Sequence, residues 1–381
     1  MAGYNRAAMK PAEIRASFAN LIGTAPIREL ARGKKEVVII FDDLTRVTRA
    51  AEIVPFILEE LATAGIPDNR IRFVCALGCH GALSRADFTK KLGEKTLARF
   101  PVYNHNPFGS CVYVGTTKTF GTEVYINAEV MKCDFKIAIG AVVPHPRSGF
   151  GGGGKIILPG VASFAAIEHC HRAAYNTTKT SLGKIAGMGA FDNNPMRFDI
   201  EEAAKMAGLD VLINCIVNAW GETVAIFAGA LVPAYTAAIQ EARTHYLTPR
   251  LVDKDIVIAN TFSKVSEAYI GLCIATPAVH SGGDVVLIAN SPDGQVTHYL
   301  MGSFGKTTGA PMRMPTVIPP SINHLIVYSE FPDLAGRGFV EESPKVLYMS
   351  DWDAVLRTLQ EFHGTQAKVA LYPGAEIQYT E

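Results

Sequence analysis

The chain has 381 residues, 48% of them hydrophobic, and its 36 Lys and Arg balance 36 Asp and Glu. This length favours two domains with substantial cores, and the neutral balance without a basic run argues against nucleic acid or an anionic membrane as the main partner. The first residues lack the apolar core of a signal peptide, and no apolar run reaches the roughly 18 to 20 residues of a membrane helix, so we expect a cytoplasmic protein.

The seven cysteines are spread over the chain without a Cys-x-x-Cys pair. Reduced thiols are therefore expected, not the disulfide framework of a secreted protein. Two Cys-His neighbours, Cys79-His80 and Cys170-His171, offer the usual ligands of zinc. They lack the ligand spacing of a structural zinc site, which disfavours that interpretation.

The first predicted strand carries polar residues directly after its apolar run. Val37 to Phe41 is apolar throughout and predicts a buried strand of a parallel sheet. Asp43, Thr45 and Arg46 follow it, at the end of the strand where open α/β sheets bind ligands. Asp43 could equally cap the following helix.

The same pattern repeats once along the chain. Apolar residues at helical spacing between positions 53 and 64 predict a helix, and Ile71 to Leu77 predicts a second strand. His80 follows that strand, and Gly78 and Gly81 stand close to it on either side. The glycines leave room around the imidazole, so that it can face a cleft.

The most unusual stretch of the sequence runs from Ile137 to His171. Its first seven residues are apolar and uncharged and predict a buried strand. Behind them come His145, five glycines among positions 149–154, and Lys155. Glycines on this scale let a backbone take positive φ and approach a ligand closely. We expect a ligand site here, although a plain strand-to-helix turn and a hydrogen-bonded core histidine are the alternatives.

A phosphate-binding loop is a second interpretation of this stretch. Gly149, Gly154 and Lys155 fit the first seven positions of a P-loop, in which backbone amides and the lysine cradle phosphates. The eighth position must be Ser or Thr to hold magnesium, and here it is Ile156. Binding of an anion by backbone amides stays open, whereas magnesium-dependent hydrolysis is disfavoured.

The remaining elements of this half are a mixture of strands and one long helix. Pro101 to Val130, rich in Tyr, Thr, Val and Gly, predicts an antiparallel excursion, and His105 within it is interpreted as a surface or supporting residue of a turn. Val211 to Trp220 and Thr223 to Ala228 predict a hairpin. Leu231 to Tyr246 predicts a helix that links to a second domain.

From Asp255 onward strands alternate with helices again, which predicts a second parallel or mixed sheet. The fold class is therefore α/β, with two domains whose sheets are mostly parallel. We predict an N-terminal cofactor-binding and catalytic domain over residues 1–230, a linker helix over 231–248, and a smaller C-terminal α/β domain over 249–381. Cofactor and substrate are expected in the cleft between the domains.

The central stretch resembles a known signature, His-x3-Gly-Phe-x-Gly-Gly-x-Lys-x3-Pro-Gly followed by a histidine sixteen residues after the lysine. This is similar to the motif of the lactate racemase family, the nickel-pincer nucleotide enzymes. The matching positions are His145, Gly149, Phe150, Gly152, Gly153, Lys155, Pro159, Gly160 and His171. The same family carries Asp-x-Thr-Arg, here Asp43, Thr45 and Arg46, and a catalytic histidine in a Gly-x-His context, here His80.

The resemblance implies a racemase or epimerase of a 2-hydroxy acid that works by proton-coupled hydride transfer. It implies that Lys155 attaches a nickel-pincer nucleotide, a pyridinium-derived mononucleotide with two sulfur arms and a nickel ion, and that His171 ligates the nickel. His80 and His145 would be the catalytic bases, and Arg46 would bind the substrate carboxylate. The remaining cofactor contacts implied are Asp43, Thr45, Gly149, Phe150, Gly152 and Gly153. Cofactor-synthesis proteins would be the partners.

The chain departs from the family pattern at two places. Gly81-Ala82 stands where Arg-Pro is usual, and the Tyr-Gln-x-x-Lys element of lactate racemase has no clean counterpart, with Lys264 and Glu267 as the nearest polar candidates. The identity of the acid is therefore open. The alternatives are a P-loop-like phosphotransferase, disfavoured by Ile156, and a non-catalytic nucleotide- or metal-binding homologue, disfavoured by the two histidines and Arg46.

Overall fold

The computed structural model describes residues 1–180, 187–300, 315–331, 333 and 336–381. The chain divides into two compact units, a larger one of residues 5–244 and a smaller one of residues 1–4 and 245–381. Each is built on a mostly parallel sheet, which confirms the predicted α/β class. The helix expected as a linker lies in the larger unit up to residue 244.

The first four residues join the smaller unit through the backbone. The N–H groups of Ala2 and Gly3 donate to the carbonyls of Leu247, at 3.2 Å, and His245, at 2.9 Å. This pairing joins the start of the chain to residues more than 240 positions away, so hydrophobic periodicity gave no sign of it.

The larger unit alternates strands with helices along most of its length. Its strands are β1 (Val37–Asp42), β2 (Ile71–Ala76), β3 (Val102–Asn104), β4 (Cys111–Thr116), β5 (Glu123–Asn127), β6 (Phe135–Ala141), β7 (Pro144–His145), β8 (Gly149–Phe150), β9 (Val211–Val217) and β10 (Thr223–Gly229). Its helices are α1 (Pro11–Ala16), α2 (Ile27–Leu30), α3 (Ala50–Thr63), α4 (Arg85–Leu92), α5 (Glu94–Arg99), α6 (Ala128–Lys132), α7 (Phe164–Thr180), α8 (Pro195–Met206) and α9 (Leu231–His245).

Six strands form the main sheet in the order β10-β9-β6-β1-β2-β3. All neighbours are parallel except β9 and β10, the predicted hairpin. Every residue of β1 and β6 is buried, as expected for central strands covered on both faces. The carboxyl ends of β1, β2 and β6 therefore meet at one edge, and all three lead into the predicted site residues.

The prediction of an antiparallel excursion over residues 101–130 is only partly right. β4 and β5 form an antiparallel hairpin, but β3 pairs parallel with β2 at the edge of the main sheet. Three residues are too few to show a strand period. His105 follows β3 and is buried, with its Nε2 2.8 Å from the carbonyl oxygen of Ala162 and its Nδ1 3.1 Å from Asn127 Nδ2. Burial lowers the pKa of His105 to about 4, so it is a neutral supporting residue and not a surface one.

The smaller unit is a five-stranded parallel sheet in the order β14-β13-β12-β11-β15. Its elements are β11 (Lys254–Asn260), α10 (Leu272–Ala275), β12 (Val279–Ile288), β13 (Ile322–Tyr328), β14 (Val346–Met349), α11 (Trp352–His363) and β15 (Val369–Tyr372). The fully buried carboxylate of Asp284 on β12 joins two of these elements, because it contacts His324 Nδ1 at 3.1 Å and His363 Nε2 at 2.8 Å. Among the described residues, no helix combines the length and apolar character needed to cross a bilayer.

Candidate active site

A histidine and a carboxylate meet at the carboxyl ends of β1 and β2. The two strands pair in parallel with Asp42 opposite Ala76, so the residues that follow each strand lie side by side. Asp43 Oδ2 is 2.6 Å from His80 Nδ1, and both side chains are buried. A carboxylate only accepts, so Nδ1 carries the hydrogen and Nε2 keeps the lone pair, a tautomer inferred from the hydrogen-bond partners.

The second oxygen of Asp43 is engaged as well. Oδ1 accepts from the backbone N–H of Thr45 at 2.8 Å and from its hydroxyl at 2.5 Å. Burial raises the pKa of Asp43, but the charge and hydrogen bond of His80 outweigh it, helped by Arg46 and Thr45, and the pKa falls to about 2. The carboxylate is therefore ionised at neutral pH and holds His80 in one orientation.

Arg46 is tied to the same loop. Its Nη1 donates to the hydroxyl of Thr45 at 2.7 Å and to the carbonyl of Thr45 at 3.2 Å, and the side chain is half-buried. A continuous chain of hydrogen bonds thus joins Arg46 to Thr45, Asp43 and His80. A guanidinium offers two parallel donors to a carboxylate, so this loop can hold an acidic substrate beside an oriented base.

A buried lysine supports this loop and was not predicted from the sequence. Lys91 on α4 is 3% exposed, and its Nζ lies 2.7 Å from Asp42 Oδ1. The same ammonium donates to the carbonyls of Asp43 and Arg46, each at 3.0 Å. The only sign of it in the sequence was a lysine on the apolar face of a short helix. Lys91 fixes the backbone from which the candidate catalytic groups project.

The glycine-rich loop packs closely against its own protein. A Cβ on Gly149 would lie 2.3 Å from the carbonyl oxygen of Ala190, and one on Gly152 would lie 2.7 Å from Val142 Cγ2. Both glycines also have φ near +70°, which other residues rarely adopt. Close packing within the chain therefore explains why these two positions are glycines. The predicted contacts of Gly149, Gly152 and the fully buried Phe150 with a cofactor stay predictions.

Gly153 and Gly154 belong to a short 3₁₀ turn that covers α8. A Cβ on Gly153 would lie 2.6 Å from Arg197 Nη2, and one on Gly154 would lie 3.0 Å from Ala204 Cβ. The turn spans Gly153–Ile156 and includes Lys155. In a P-loop the glycines open a full α-helix, so this geometry adds to the argument from Ile156 against a phosphotransferase.

His145 lies at the start of this loop, where β7 and β8 form a two-residue antiparallel pair. Three groups surround its Nδ1 atom. They are the backbone N–H groups of Arg147, at 3.2 Å, and Ser148, at 3.3 Å, and the hydroxyl oxygen of Ser148, at 3.1 Å. The ring is half-buried, and these groups fix its orientation.

Lys155 and His171 form a second pair of candidate groups. Both are buried, each with 9% of its surface exposed. His171 Nδ1 is 2.7 Å from the carbonyl oxygen of Ile167, one turn earlier in α7, so Nδ1 donates and Nε2 keeps the lone pair. Burial, helped by the positive charges of Lys155 and Arg147, lowers the pKa of His171 to about 3. A neutral imidazole with a lone pair on Nε2 is the form that binds a metal ion.

Its neighbours on the helix are engaged elsewhere. His169 Nε2 is 3.0 Å from the carbonyl oxygen of Phe120, in the loop between β4 and β5. Cys170 is fully buried, and burial together with Asp199 raises its thiol pKa well above the usual range. A protonated thiol is a poor metal ligand, which further disfavours zinc at Cys170-His171. Within the described ranges, no three His, Cys, Asp or Glu side chains converge as a metal cage.

Arg197 on α8 is a second residue that sequence reasoning missed. It is 1% exposed, and its guanidinium lies over the ring of Tyr235, 4.3 Å from the centroid. None of its three nitrogens has a hydrogen-bond partner in the described part of the chain. Burying a charge without a partner is costly. Arg197 and Lys155 make the surroundings of the Gly153 turn positively charged, and this charge fits the phosphate of the mononucleotide that the resemblance implies.

The two polar candidates that the sequence suggested in the smaller unit, Lys264 and Glu267, contact each other. Lys264 is 3% exposed, and its Nζ lies 3.0 Å from Glu267 Oε2. Both lie in an irregular 3₁₀ segment after β11, and both have non-helical backbone angles. The structure therefore shows them as an ion pair between a buried lysine and a partly buried glutamate.

The fold and the site together define a two-unit α/β protein with two oriented histidines, an arginine and a buried lysine around one edge of its larger sheet. Residues 2–183 match the family described as the lactate racemase N-terminal domain. This match confirms the resemblance to the lactate racemase family that was inferred from the sequence.

Two curated proteins with similar sequences carry the same resemblance. Lactate racemase of Lactiplantibacillus plantarum is 28% identical over 301 residues, which are 77% of this chain and 69% of that protein. Lactate racemase of Thermoanaerobacterium thermosaccharolyticum is 28% identical over 290 residues, 74% of this chain and 66% of that protein. The matches thus span about two thirds of the length of these relatives.

Two solved structures share the fold. The lactate racemase apoprotein of Thermoanaerobacterium thermosaccharolyticum has a TM-score of 0.72 at 21% identity, with 99% of this chain and 94% of that chain covered. A protein of Thermotoga maritima has a TM-score of 0.72 at 18% identity, with 99% and 100% covered. At these identities the likeness concerns the fold alone.

Proposed function

We propose that the chain is a racemase or epimerase of a 2-hydroxy acid that works by proton-coupled hydride transfer to a nickel-pincer nucleotide. The observation that carries the proposal is the His80–Asp43 pair, 2.6 Å apart and hydrogen-bonded through Thr45 to Arg46. An oriented base and a carboxylate-binding group on one loop are what a 2-hydroxy acid requires. The similar lactate racemases support the same reaction class.

Lys155 and His171 would hold the cofactor. Lys155 would attach it, and His171 would complete the nickel coordination through Nε2. Further contacts would come from Asp43, Thr45, Gly149, Phe150, Gly152 and Gly153. When bound, a nickel-pincer nucleotide supplies an electrophilic carbon that can accept hydrogen as hydride. This chemistry matters because the C2 hydrogen of a 2-hydroxy acid is barely acidic and is hard to remove as a proton.

The side chains of this chain manage the hydroxyl proton and the carboxylate. His80 would take the hydroxyl proton on Nε2 from one face of the substrate, since Asp43 fixes the hydrogen on Nδ1. His145 would serve the opposite face, because inversion needs one base on each side of a planar keto intermediate. Arg46 would hold the carboxylate through its planar fork.

The fate of the C2 hydrogen tests this mechanism. With the protein made alongside the cofactor-synthesis enzymes, D-lactate and other short 2-hydroxy acids deuterated at C2 should be inverted in ordinary water with the label retained. Some 2-keto acid should be trapped by borohydride. Direct proton abstraction by the histidines would instead exchange the label with solvent, because a protonated imidazole in an accessible site equilibrates with water. Washout without trapped keto acid contradicts the hydride mechanism, and the absence of inversion for every acid contradicts the racemase.

His171→Ala should lose bound nickel, whereas His169→Ala should keep it. His171 is buried near Lys155 with its lone pair on Nε2, while Nε2 of His169 is engaged by the carbonyl of Phe120. Elemental analysis of both variants, made alongside the cofactor-synthesis enzymes, measures the nickel content per chain. His169→Ala is the matched control on the same helix. Nickel retained without His171 and lost without His169 would reverse the assignment.

A further inference from the structure

A second arginine lies on the loop that carries His145. Arg147 is part of the connection between β7 and β8, and its side chain is half-buried. Its backbone N–H donates to Nδ1 of His145 at 3.2 Å, and its carbonyl oxygen accepts from Nδ2 of Asn194 at 2.9 Å. The backbone of Arg147 is therefore fixed beside one of the two candidate catalytic bases.

The guanidinium of Arg147 lies against the helix that carries His171. It stands over the ring of Tyr175, with its central carbon 5.6 Å from the ring centroid, which is within the range of a cation–π contact. Tyr175 and His171 are four positions apart on α7, so they share one face of that helix. The positive charge of Arg147 also helps to lower the pKa of His171. The guanidinium therefore lies on the same side of α7 as the candidate nickel ligand.

The loops of Arg46 and Arg147 follow neighbouring strands of the main sheet. β1 and β6 pair in parallel, and adjacent strands lie about 4.8 Å apart. Arg46 lies on the loop after β1, whereas Arg147 lies on the loop that follows β6 and β7. One edge of the sheet thus carries two arginines, one on the loop that orients His80 and one on the loop of His145.

We infer that Arg147 binds a second carboxylate and that the substrates are 2-hydroxy dicarboxylic acids such as 2-hydroxybutanedioate. The inference rests on the proposed function, in which Arg46 binds the carboxylate beside the hydroxyl-bearing carbon. A monocarboxylic acid engages only one of the two guanidinium groups. The planar fork of Arg147 offers two parallel donors to a second carboxylate. Its stacking on Tyr175 holds that fork in place before the substrate binds, which reduces the entropy that binding costs.

Binding of acids that lack the hydroxyl tests this site without turnover. Butanedioate has two carboxylates and butanoate has one, on the same carbon skeleton. With the protein made alongside the cofactor-synthesis enzymes, calorimetry should show that butanedioate binds on the order of 10- to 100-fold tighter, which is the worth of hydrogen bonds to a charged group. Arg147→Gln should remove this difference. Equal affinity for the two acids in the unaltered chain, or the same difference in the variant, would overturn the inference.

Arg172→Gln is the matched control on the helix that Arg147 contacts. Arg172 is next to His171 in the sequence, but its side chain is exposed and pairs with Glu168 at 3.4 Å. The control should therefore keep the difference between butanedioate and butanoate. Intact-mass spectrometry and nickel analysis of both variants separate this site from the cofactor. Loss of the cofactor from Arg147→Gln would assign Arg147 to the cofactor phosphate and contradict the inference.

Kinetics test the same preference during turnover. The unaltered enzyme should have a kcat/KM for 2-hydroxybutanedioate on the order of 10- to 100-fold above that for 2-hydroxybutanoate. Arg147→Gln should abolish this preference mainly by raising KM, because the second carboxylate does not change during the reaction. A preference that survives the substitution would contradict the role of Arg147 in specificity. If the unaltered chain inverts no acid, the proposed function fails, while the affinities for butanedioate and butanoate still decide whether Arg147 binds a second carboxylate.

Discussion

Lys155→Ala is expected to yield a chain whose intact mass is that of the polypeptide alone, even when it is made alongside the cofactor-synthesis enzymes. The side chain of Lys155 is buried in the Gly153–Ile156 turn, and its positive charge helps lower the pKa of His171. Alanine removes the only amine that this turn provides, so both the covalent adduct and the racemase activity should be lost completely. Intact-mass spectrometry measures the first and a chiral assay the second.

Two further variants make this result specific. Lys155→Arg keeps the charge, but a guanidinium stays protonated in proteins and is a poor nucleophile, so it should also carry no adduct. Lys136→Ala removes another buried lysine of the same unit, one that donates to the carbonyl of Cys133 at 2.8 Å, and should keep the adduct. An adduct on the Lys155→Ala chain, or none on the unaltered chain, would contradict attachment at this residue.

Most strands of the two main sheets could be predicted because each is a short apolar run that ends in polar residues. Val37 to Phe41 and Ile137 to Val143 are such runs, and the structure buries the first as β1 and most of the second as β6. Strand ends also pointed to the site, since Asp43, His80 and His145 all follow parallel strands. The three-residue β3 was assigned the wrong partner, because a segment that short carries no period.

The pairings within the site could not be predicted in the same way. Asp43 and His80 are 37 positions apart, and only the register of β1 with β2 brings them to 2.6 Å. From the sequence, Asp43 was a helix cap or a family cofactor contact, and the structure shows it as the partner that orients His80. Lys91 and Arg197 were missed because a lone lysine or arginine on a helix is most often exposed.

The glycines of the glycine-rich loop were explained from the sequence by close approach to a ligand, and the structure adds a second reason. The glycines suggested close approach to a ligand, but a Cβ at Gly149, Gly152 or Gly153 would first strike this chain's own atoms. Their neighbours are Ala190, Val142 and the Arg197–Tyr235 pair. The loop is thus held rigidly over α8, and rigid placement of Lys155 and His145 is a reason for glycines there that needs no ligand contact.

Asp43→Asn is expected to lower kcat on the order of 10⁴-fold, the loss found when the aspartate of a serine-protease triad is changed in the same way. An asparagine oxygen could keep the bonds from Thr45, but its amide nitrogen would then face His80 Nδ1 as a donor. Nδ1 would have to accept, the hydrogen would move to Nε2, and His80 could not take the substrate hydroxyl proton. Steady-state kinetics in both directions measure the loss.

The same variant changes how stability depends on pH. The pKa of Asp43 is about 2 in the folded chain, against an ordinary value of 3.8, so its ionised form stabilises the fold by about 2 kcal/mol at neutral pH. A lowered carboxyl pKa gives stability that is fully present above about pH 4 and is lost as the pH falls towards 2. Urea unfolding should therefore show a gap between the unaltered chain and Asp43→Asn at pH 7 that narrows below pH 4.

Asp210→Asn is the control variant, because it shows whether replacing a carboxylate elsewhere in the same sheet also lowers kcat. Asp210 accepts the backbone N–H of Lys136 at 2.8 Å and precedes β9, at the opposite edge of the sheet from His80. It should leave kcat unchanged, because no histidine tautomer depends on it. If Asp43→Asn keeps its activity while its stability falls, then Asp43 holds the loop but does not orient the base, and the proton must leave the substrate through another group.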